Sequence, residues 1–574
     1  MEKFCDIQTR NELADFLRIP RSKLTYILYV KRPESYYSTF EIPKKSGGTR
    51  EICAPSGDLK SIQLKLADAL WAYQVCIWAG RKNCHNVSHA FEKGKSIITN
   101  ARIHRNKRFV LNLDLENFFD TFHFGRVQGF FEKNHDFQLP HAAAVAIAQI
   151  VCYNGRLPQG APSSPIVSNL ICRILDMRLL KIAKKYKLDY TRYADDLTFS
   201  TNDRDFGDKQ KDFYVKIVGE IEKAGFSINL KKTRLQIADS QQKVTGLVVN
   251  KKVNVDSAYY KKTRAMAHRL YTQREFEIDG KSASIKQLEG RFSFIDQLEH
   301  YNNKCDGEMQ NKYSLKRKEH NHHTLSGREK EYQAFLFYQY FFANKEPLIV
   351  TEGKTDILYL KAALKSLYAE YPNLIEKDSE GNYLFKISFF KRSDRWKYFF
   401  GMSLDGADTM KQIYYYFTGK NNTTNYCSYF QKLCGHEPRM PVILLFDNET
   451  ETSRPLKNFF KICGVDDETK KQFKQDLCMQ LVPKSNLFLV TNPLVPGKAE
   501  CEIEDLFPSG VLEHKIDEKT FSKEDKWDAK TTYGKDIFSK YIFSNFNNID
   551  FSGFRKLLNI LNTIVALQGE RPLN

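Results

Sequence analysis

No apolar run in these 574 residues approaches the roughly 18 that a membrane-crossing helix needs, and the mean hydropathy is −0.51. The opening segment, MEKFCDIQTRNELADF, carries acids where a secretory leader carries an apolar stretch, which predicts a cytoplasmic protein. Twelve cysteines occur singly, with no C-x-x-C pair. Neither a zinc ribbon nor a disulfide framework is therefore predicted, and a reducing compartment suits the chain. Internal repeats and low-complexity tracts are absent as well. His320, His322 and His323 stand together in a polar stretch, but no further ligand sits at zinc-like spacing, so they read as a loop.

What is present is a large globular chain. A hydrophobic fraction of 42% and an aromatic fraction of 13% exclude a disordered or collagen-like polymer. At roughly 100–200 residues per domain, the length predicts three or four domains. Lys and Arg number 88 against 69 acids, a net charge of +19. Residues 1–345 hold 57 of those bases and 38 of the acids, leaving 31 of each from residue 346 onward. The whole excess sits in the first three-fifths, as a polyanion-binding surface would require.

Two segments of that basic part place carboxylates at the ends of apolar strands. FVLNLDLENFFDTF (109–122) reads as a buried strand running into a turn, with Asp114 at its end. YTRYADDLTFS (190–200) reads as two short strands around a tight turn holding Asp195 and Asp196. Carboxylates there are costly to bury unless neutralised, and divalent metal is the economical neutraliser when several converge. Between the two lies a Gly/Pro/Ser loop, GRLPQGAPSSP, leading into a helix. An amphipathic helix over 209–224, a turn at Gly225 and a strand follow, then a hairpin over 244–256 turning at Asn250-Lys251-Lys252.

The order LDLENFFD, LPQGAPSSP, YADD, GFSINLKKTRL resembles the successive motifs of reverse transcriptases. Asn100-Ala101-Arg102-Ile103-His104 resembles the NAxxH element, and Val244-Thr245-Gly246 the VTG element, of retron enzymes. The resemblance covers about residues 20–320. It implies a right-hand α+β polymerase, with fingers and palm over 1–256 and a helical thumb over 257–325 containing GRFSFIDQLEHY. It further implies that Asp114, Asp195, Asp196 and the Leu115 carbonyl hold two Mg²⁺ ions for nucleotidyl transfer. Phe119 would exclude a ribose 2′-OH, and Gln159 with Gly160 would pack on nucleotide and template. Lys231 or Lys232 would face the leaving pyrophosphate, with Arg50 and Lys45 gripping the triphosphate. Asn100, His104, Val244, Thr245 and Gly246 would serve RNA binding. The implied partners are dNTPs and a structured non-coding RNA, copied from a guanosine 2′-OH into branched RNA-linked msDNA. The basic-aromatic helix AYYKKTRAMAHRLYTQR (258–274) reads either as a phosphate-contacting surface or as a solvated helix.

After a connecting helix at 326–345 the pattern becomes strand–helix alternation, predicting a small α/β domain with a mainly parallel sheet. Glu352 follows one apolar strand, with Asp356 four residues on, and Asp447 and Glu449 follow another. GKT at 353–355 is not a phosphate loop, because the position five residues before Gly353 is Leu348 rather than glycine. The EGxxD and D-x-E pattern resembles a TOPRIM domain over 346–510, with Glu449 where an aspartate is usual and Glu502 and Glu504 as a further acidic element. The resemblance implies Glu352 as acid–base group and a second Mg²⁺ site at Asp447 and Glu449. Residues 511–574, expected as a C-terminal helical extension, are too few for a topoisomerase gate. A primase would duplicate the polymerase, so a nuclease effector in anti-phage defence is the expected second activity. A reverse transcriptase of another bacterial group, and a scaffold whose TOPRIM region only assembles subunits, are the alternatives. A homo-oligomer is compatible with either.

Overall fold

A computed structural model describes residues 4–44, 47–79, 86–305, 325–403, 406–450, 454–524 and 528–569. Lys45 and the cluster of His320, His322 and His323 lie outside the described residues. The chain divides into two compact units, Met1–Asp256 and Ser257–Asn574. Among the described residues no helix is long and apolar enough to cross a membrane.

The first unit opens with an antiparallel hairpin of β1 (Tyr37–Pro43) and β2 (Thr49–Pro55), followed by the long helix α1 (Gly57–Ala79). Helix α2 (Ile97–Ile103) starts at a capping box formed by Ser96 and Thr99. Strand β3 (Phe109–Asp114) is buried on both faces, which explains its continuous apolar run. Helix α3 (Ser164–Lys185) buries Ile166, Val167, Leu170, Ile171, Leu175 and Leu179 at helical spacing. The hairpin of β4 (Asp189–Tyr193) and β5 (Asp196–Thr201) follows, then helix α4 (Phe206–Lys223) and β6 (Arg234–Ile237). The antiparallel sheet has the order β4-β5-β3-β6.

The hairpin expected over 244–256 is tighter than its sequence suggests. It pairs β7 (Lys243–Val244) with β8 (Leu247–Val248), so Thr245 and Gly246, both with positive φ, make its turn. Asn250-Lys251-Lys252 belong to a second turn, closed by the bridge between Val248 and Asn254.

The second unit begins with α5 (Ser257–Gln273) and α6 (Ile285–Cys305). Helix α5 buries Thr263, Ala267, Leu270 and Tyr271 and exposes Lys261, Lys262 and Arg269. The expected connector at 326–345 is instead a core helix. Helix α7 (Gly327–Phe337), capped by Ser326, buries Tyr332, Phe335 and Phe337 and continues as a wider turn through Phe342. Leu270, Tyr271, Phe292 and Tyr332 share one apolar cluster with sheet residues such as Val350 and Leu444.

The sheet of this unit uses β9 (Leu348–Thr351), β12 (Ser388–Phe389), β13 (Val442–Phe446), β14 (Cys478–Gln480) and β15 (Leu487–Thr491). A separate hairpin of β10 (Ile375–Lys377) and β11 (Tyr383–Phe385) lies between the first two in the chain. The sheet order is β12-β9-β13-β15-β14, parallel except for the last pair. Helix α8 (Asp356–Ser366) follows β9. The residues expected as a mere extension are built into this core. Helices α9 (Lys535–Ser544) and α10 (Arg555–Gly569) bury Phe538, Ile542, Leu557, Leu558 and Leu561 together with Tyr359, Ile443 and Val490.

Candidate active site

Strand register gathers the first acidic group. Asp114 stands directly opposite Asp196 across the β3–β5 pair, and Asp195 occupies the β4–β5 turn beside Ala194, whose φ is +55°. The Leu115 N–H donates to the Asp195 carbonyl at 3.0 Å, which ties the turn to the end of β3. Like charges opposite each other in a sheet repel. Burial first, then Asp195 and Asp114, pushes the Asp196 carboxyl up to about 7, and burial with Asp114 raises Asp195. Both Lys231 and Lys232 are exposed, but it is Lys232 whose Nζ lies 2.8 Å from Asp114 Oδ1 and which lines the cavity at these acids.

A cavity of about 990 Å³ opens on these acids, lined by Arg50, Leu115, Phe119, Gln159 and Lys232 among others. Phe119 is half-buried against Phe118, edge to face at 5.2 Å between ring centres. The Gln159–Gly160 loop is pinned to the fingers hairpin, because the Cys53 N–H donates to the Gln159 carbonyl at 2.7 Å. Gly160 has φ +117°, and a Cβ there would stand 2.8 Å from Ile52 Cγ2 and 2.9 Å from the Cys53 carbonyl oxygen. Only glycine fits.

Residues 42–251 match the family described as reverse transcriptase (RNA-dependent DNA polymerase). The retron Ec86 reverse transcriptase of Escherichia coli is 36% identical over 289 residues, covering 50% of this chain and 84% of that protein. The chain belongs to the retron reverse transcriptases. It is also 33% identical to the retron Mx65 enzyme of Myxococcus xanthus and 29% identical to the Mx162 enzyme. Those matches cover 44% and 50% of this chain and 61% and 64% of the two relatives. A telomerase from Candida albicans, solved with a fragment of telomeric RNA, covers 46% of this chain and 56% of its own at 12% identity. Its TM-score of 0.29 is too low for the superposition to carry an argument.

The two retron-type elements are brought together. Of the residues expected to serve RNA binding, Asn100, His104 and Val244 are buried, Thr245 is half-buried and Gly246 is exposed. His104 Nδ1 and Nε2 each lie 2.7 Å from a hydroxyl, Ser200 Oγ and Thr191 Oγ1, on the two strands of the β4–β5 hairpin. Thr245 Oγ1 donates to the Ile97 carbonyl at 3.4 Å. The pair therefore clamps α2 to the palm sheet. Burial, then Lys107, holds the His104 imidazole down at about 3, so it is neutral.

One functional group escaped the sequence reading. Arg192 and Asp176 form a buried two-pronged ion pair, with Nη2 to Oδ2 at 2.8 Å and Nε to Oδ1 at 2.9 Å. Arg192 Nη1 also donates to the Ala194 carbonyl at 3.3 Å and to Asn169 Oδ1 at 3.1 Å. The backbone of the β4–β5 turn thus hangs from a buried guanidinium. Neither residue stands out in sequence: Arg192 lies in the polar-looking strand DYTRY and Asp176 in a helix that carries several other charges.

The second acidic group lies wholly within the second unit, at the carboxyl ends of adjacent parallel strands, where open α/β sheets place ligands. Glu352 follows β9 and Asp447 follows β13. The Gly353 N–H donates to Asp356 Oδ2 at 2.7 Å, and a Cβ on Gly353 would sit 2.9 Å from Asp356 Oδ1. Asp447 Oδ1 accepts from Asn492 Nδ2 and the Ile503 N–H at 2.8 and 2.9 Å. Burial first, then neighbouring acids, raises Glu352 and Asp356 to about 7 each and Asp447 well above its ordinary range. Glu449 is buried, with Arg454 Nε 3.6 Å away. Lys535 of α9 lies 3.2 Å from both Glu502 and the fully buried Glu504, a cation no motif announced.

Both groups offer only hard oxygen donors, the chemistry that suits Mg²⁺. Among the described residues no three such side chains close into a coordination shell by themselves. Crowding of Asp196 against Asp195 and Asp114 in the palm fits a cation, as does the Glu352 Oε2, buried without a hydrogen-bond partner. The reverse transcriptase family uses divalent metal.

Proposed function

We propose that this retron RNA-directed DNA polymerase copies a partner structured RNA into branched, RNA-linked msDNA, and that its second unit is a Mg²⁺-dependent TOPRIM nuclease serving anti-phage defence. The observation that supports the first part is the register setting Asp114 opposite Asp196, with Asp195 at the turn, above a cavity that also holds Arg50 and Lys232. Asp114, Asp195, Asp196 and the Leu115 carbonyl would hold Mg²⁺, which when bound lowers the charge on the transferring phosphate and activates the attacking hydroxyl. Arg50 grips the triphosphate through its forked guanidinium, and Lys232 meets the negative charge that develops on the leaving pyrophosphate. Phe119 fills the space a ribose 2′-OH would need, and the Gln159–Gly160 loop seats the base pair against the fingers.

Extension of a primed RNA template with dNTPs tests this reading. Asp195→Asn abolishes incorporation, whereas Phe119→Ala keeps it and admits rNTPs. Full incorporation by Asp195→Asn would remove the assignment.

For the second unit, support comes from Glu352, Asp356, Asp447, Glu449, Glu502 and Glu504, which follow strands of one mainly parallel sheet and crowd one another electrostatically, together with the unpartnered Glu352 oxygen. Glu352, raised to about 7, is poised to move a proton near neutral pH. Cells carrying Glu352→Gln or Asp447→Asn should make msDNA normally and lose both toxicity and defence. If defence persists in both variants, the region is an assembly module instead.

A further inference from the structure

Away from its acids, the second unit carries a face where lysines and aromatic rings alternate. Helix α8 begins with Asp356 at the acidic group and presents Lys361 and Lys365 on one side, the first of them about 8 Å further along the axis. Lys361 Nζ lies 5.6 and 5.3 Å from the ring centres of Phe385 and Phe389. Lys365 Nζ lies 4.3 and 5.1 Å from Phe543 and Phe546. Lys377 Nζ sits 5.1 Å from Tyr383 and 5.5 Å from the exposed Tyr368. Elements distant in sequence, namely α8, the β10–β11 hairpin, β12 and the end of α9 with the residues just after it, thus build one basic-aromatic surface.

The carboxylates close to this face are already committed. Glu376 pairs with Lys386 at 2.7 Å, Glu370 pairs with Arg555 at 2.8 Å, and Asp378 accepts the N–H groups of Glu380 and Asn382 in its own turn. Among the described residues, Lys361, Lys365, Lys377 and Lys391 lie within ion-pair distance of no carboxylate. Burial, then Lys391 and Lys365, lowers the Lys361 ammonium, so these cations repel one another without an internal counterion. Residues 346–574 carry equal numbers of bases and acids, so this is a local concentration of charge and not a share of a general excess.

We infer that this face is a binding site for single-stranded nucleic acid carried by the second unit itself. Lysines at intervals neutralise successive phosphates, and the half-buried Phe385, Phe389, Phe543 and Phe546 rings hold those lysines in place. The exposed Tyr368 ring beside Lys377 offers a face on which a base of any sequence stacks. An acidic protein would use the charges but has no need of the exposed ring. The inference does not rest on the nuclease reading, since binding here asks nothing of Glu352 or Asp447.

Photocrosslinking of the full-length protein to a bromodeoxyuridine-substituted single strand, with the attached peptides mapped, is the test. Crosslinks are expected within 361–391 and 543–546 in addition to those in the polymerase unit, and Asp447→Asn should keep them. The triple variant Lys361→Glu, Lys365→Glu, Lys391→Glu should lose the second-unit crosslinks by about tenfold or more. Its dNTP incorporation should be unchanged. Crosslinks confined to residues before 257 in the wild-type protein would overturn the inference, whatever the variant does. So would competition by polyglutamate but not by polydeoxythymidylate, which would mark the face as a protein-docking surface.

Discussion

Among the described residues the cation paired with Asp114 is Lys232, at 2.8 Å, and Lys232 but not Lys231 lines the cavity. Lys232→Ala should therefore cut dNTP incorporation by about tenfold or more, the usual cost of removing a charge-stabilising donor, while Lys231→Ala stays near wild type. Equal losses in both variants would contradict the assignment. A second residue-scale consequence concerns Arg192 and Asp176. Removing one partner of a buried ion pair leaves the other charge uncompensated and costs about 3–5 kcal/mol. Asp176→Asn should accordingly lower the denaturation midpoint of the polymerase unit and weaken incorporation with it, because the same guanidinium holds the Ala194 carbonyl. An unaltered midpoint would show that the pair is dispensable.

At the scale of elements, the catalytic hairpin depends on what packs against it. His104 and His89 are held at about 3 and about 4, below the ordinary imidazole value, chiefly by burial. Between pH 6.5 and those values the unfolded chain binds more protons than the folded one, so stability present above about pH 6.5 is lost as pH falls. Each unit of difference is worth about 1.4 kcal/mol. Chemical denaturation at pH 7 and pH 5 should show a steep loss in the wild type and a shallower one in His104→Gln. The loop carrying Gln159 makes a separate test. Gly160→Ala forces a Cβ onto the Cys53 carbonyl and should raise KM for dNTPs more than it lowers the denaturation midpoint. A change in stability alone would place the glycine outside substrate binding. The polymerase motifs were legible because each is a short contiguous run that brings several residues, such as Asp114 with Phe119 and Ala194 with Asp195, to the same cavity. The arginine–aspartate support was not, since its two halves lie on different elements and neither stands out in its own.

Across the whole molecule, the division at residue 256 places the expected thumb helices in the second unit, where α5, α6 and α7 share a core with the α/β sheet. The chain after residue 510 belongs to that unit as well. A chain ending at residue 510 should expose the surface that Phe538, Ile542, Leu558 and Leu561 cover, and the second unit should become insoluble or rapidly proteolysed. A protease-resistant truncated protein would show that the last two helices are accessory.

Apolar runs and short contiguous signatures are local properties of the chain, so the buried strands with their terminal acids and the retron motifs could be read without the fold, whereas the turn at Thr245-Gly246 could not. Tertiary structure alone set Lys232 against Asp114, buried Asn100, and seated His104 between the Ser200 and Thr191 hydroxyls. It alone brought Lys535 to Glu504 from more than thirty positions away. Register, burial and the meeting of distant segments decide such roles, and none of them is written in a single stretch of residues.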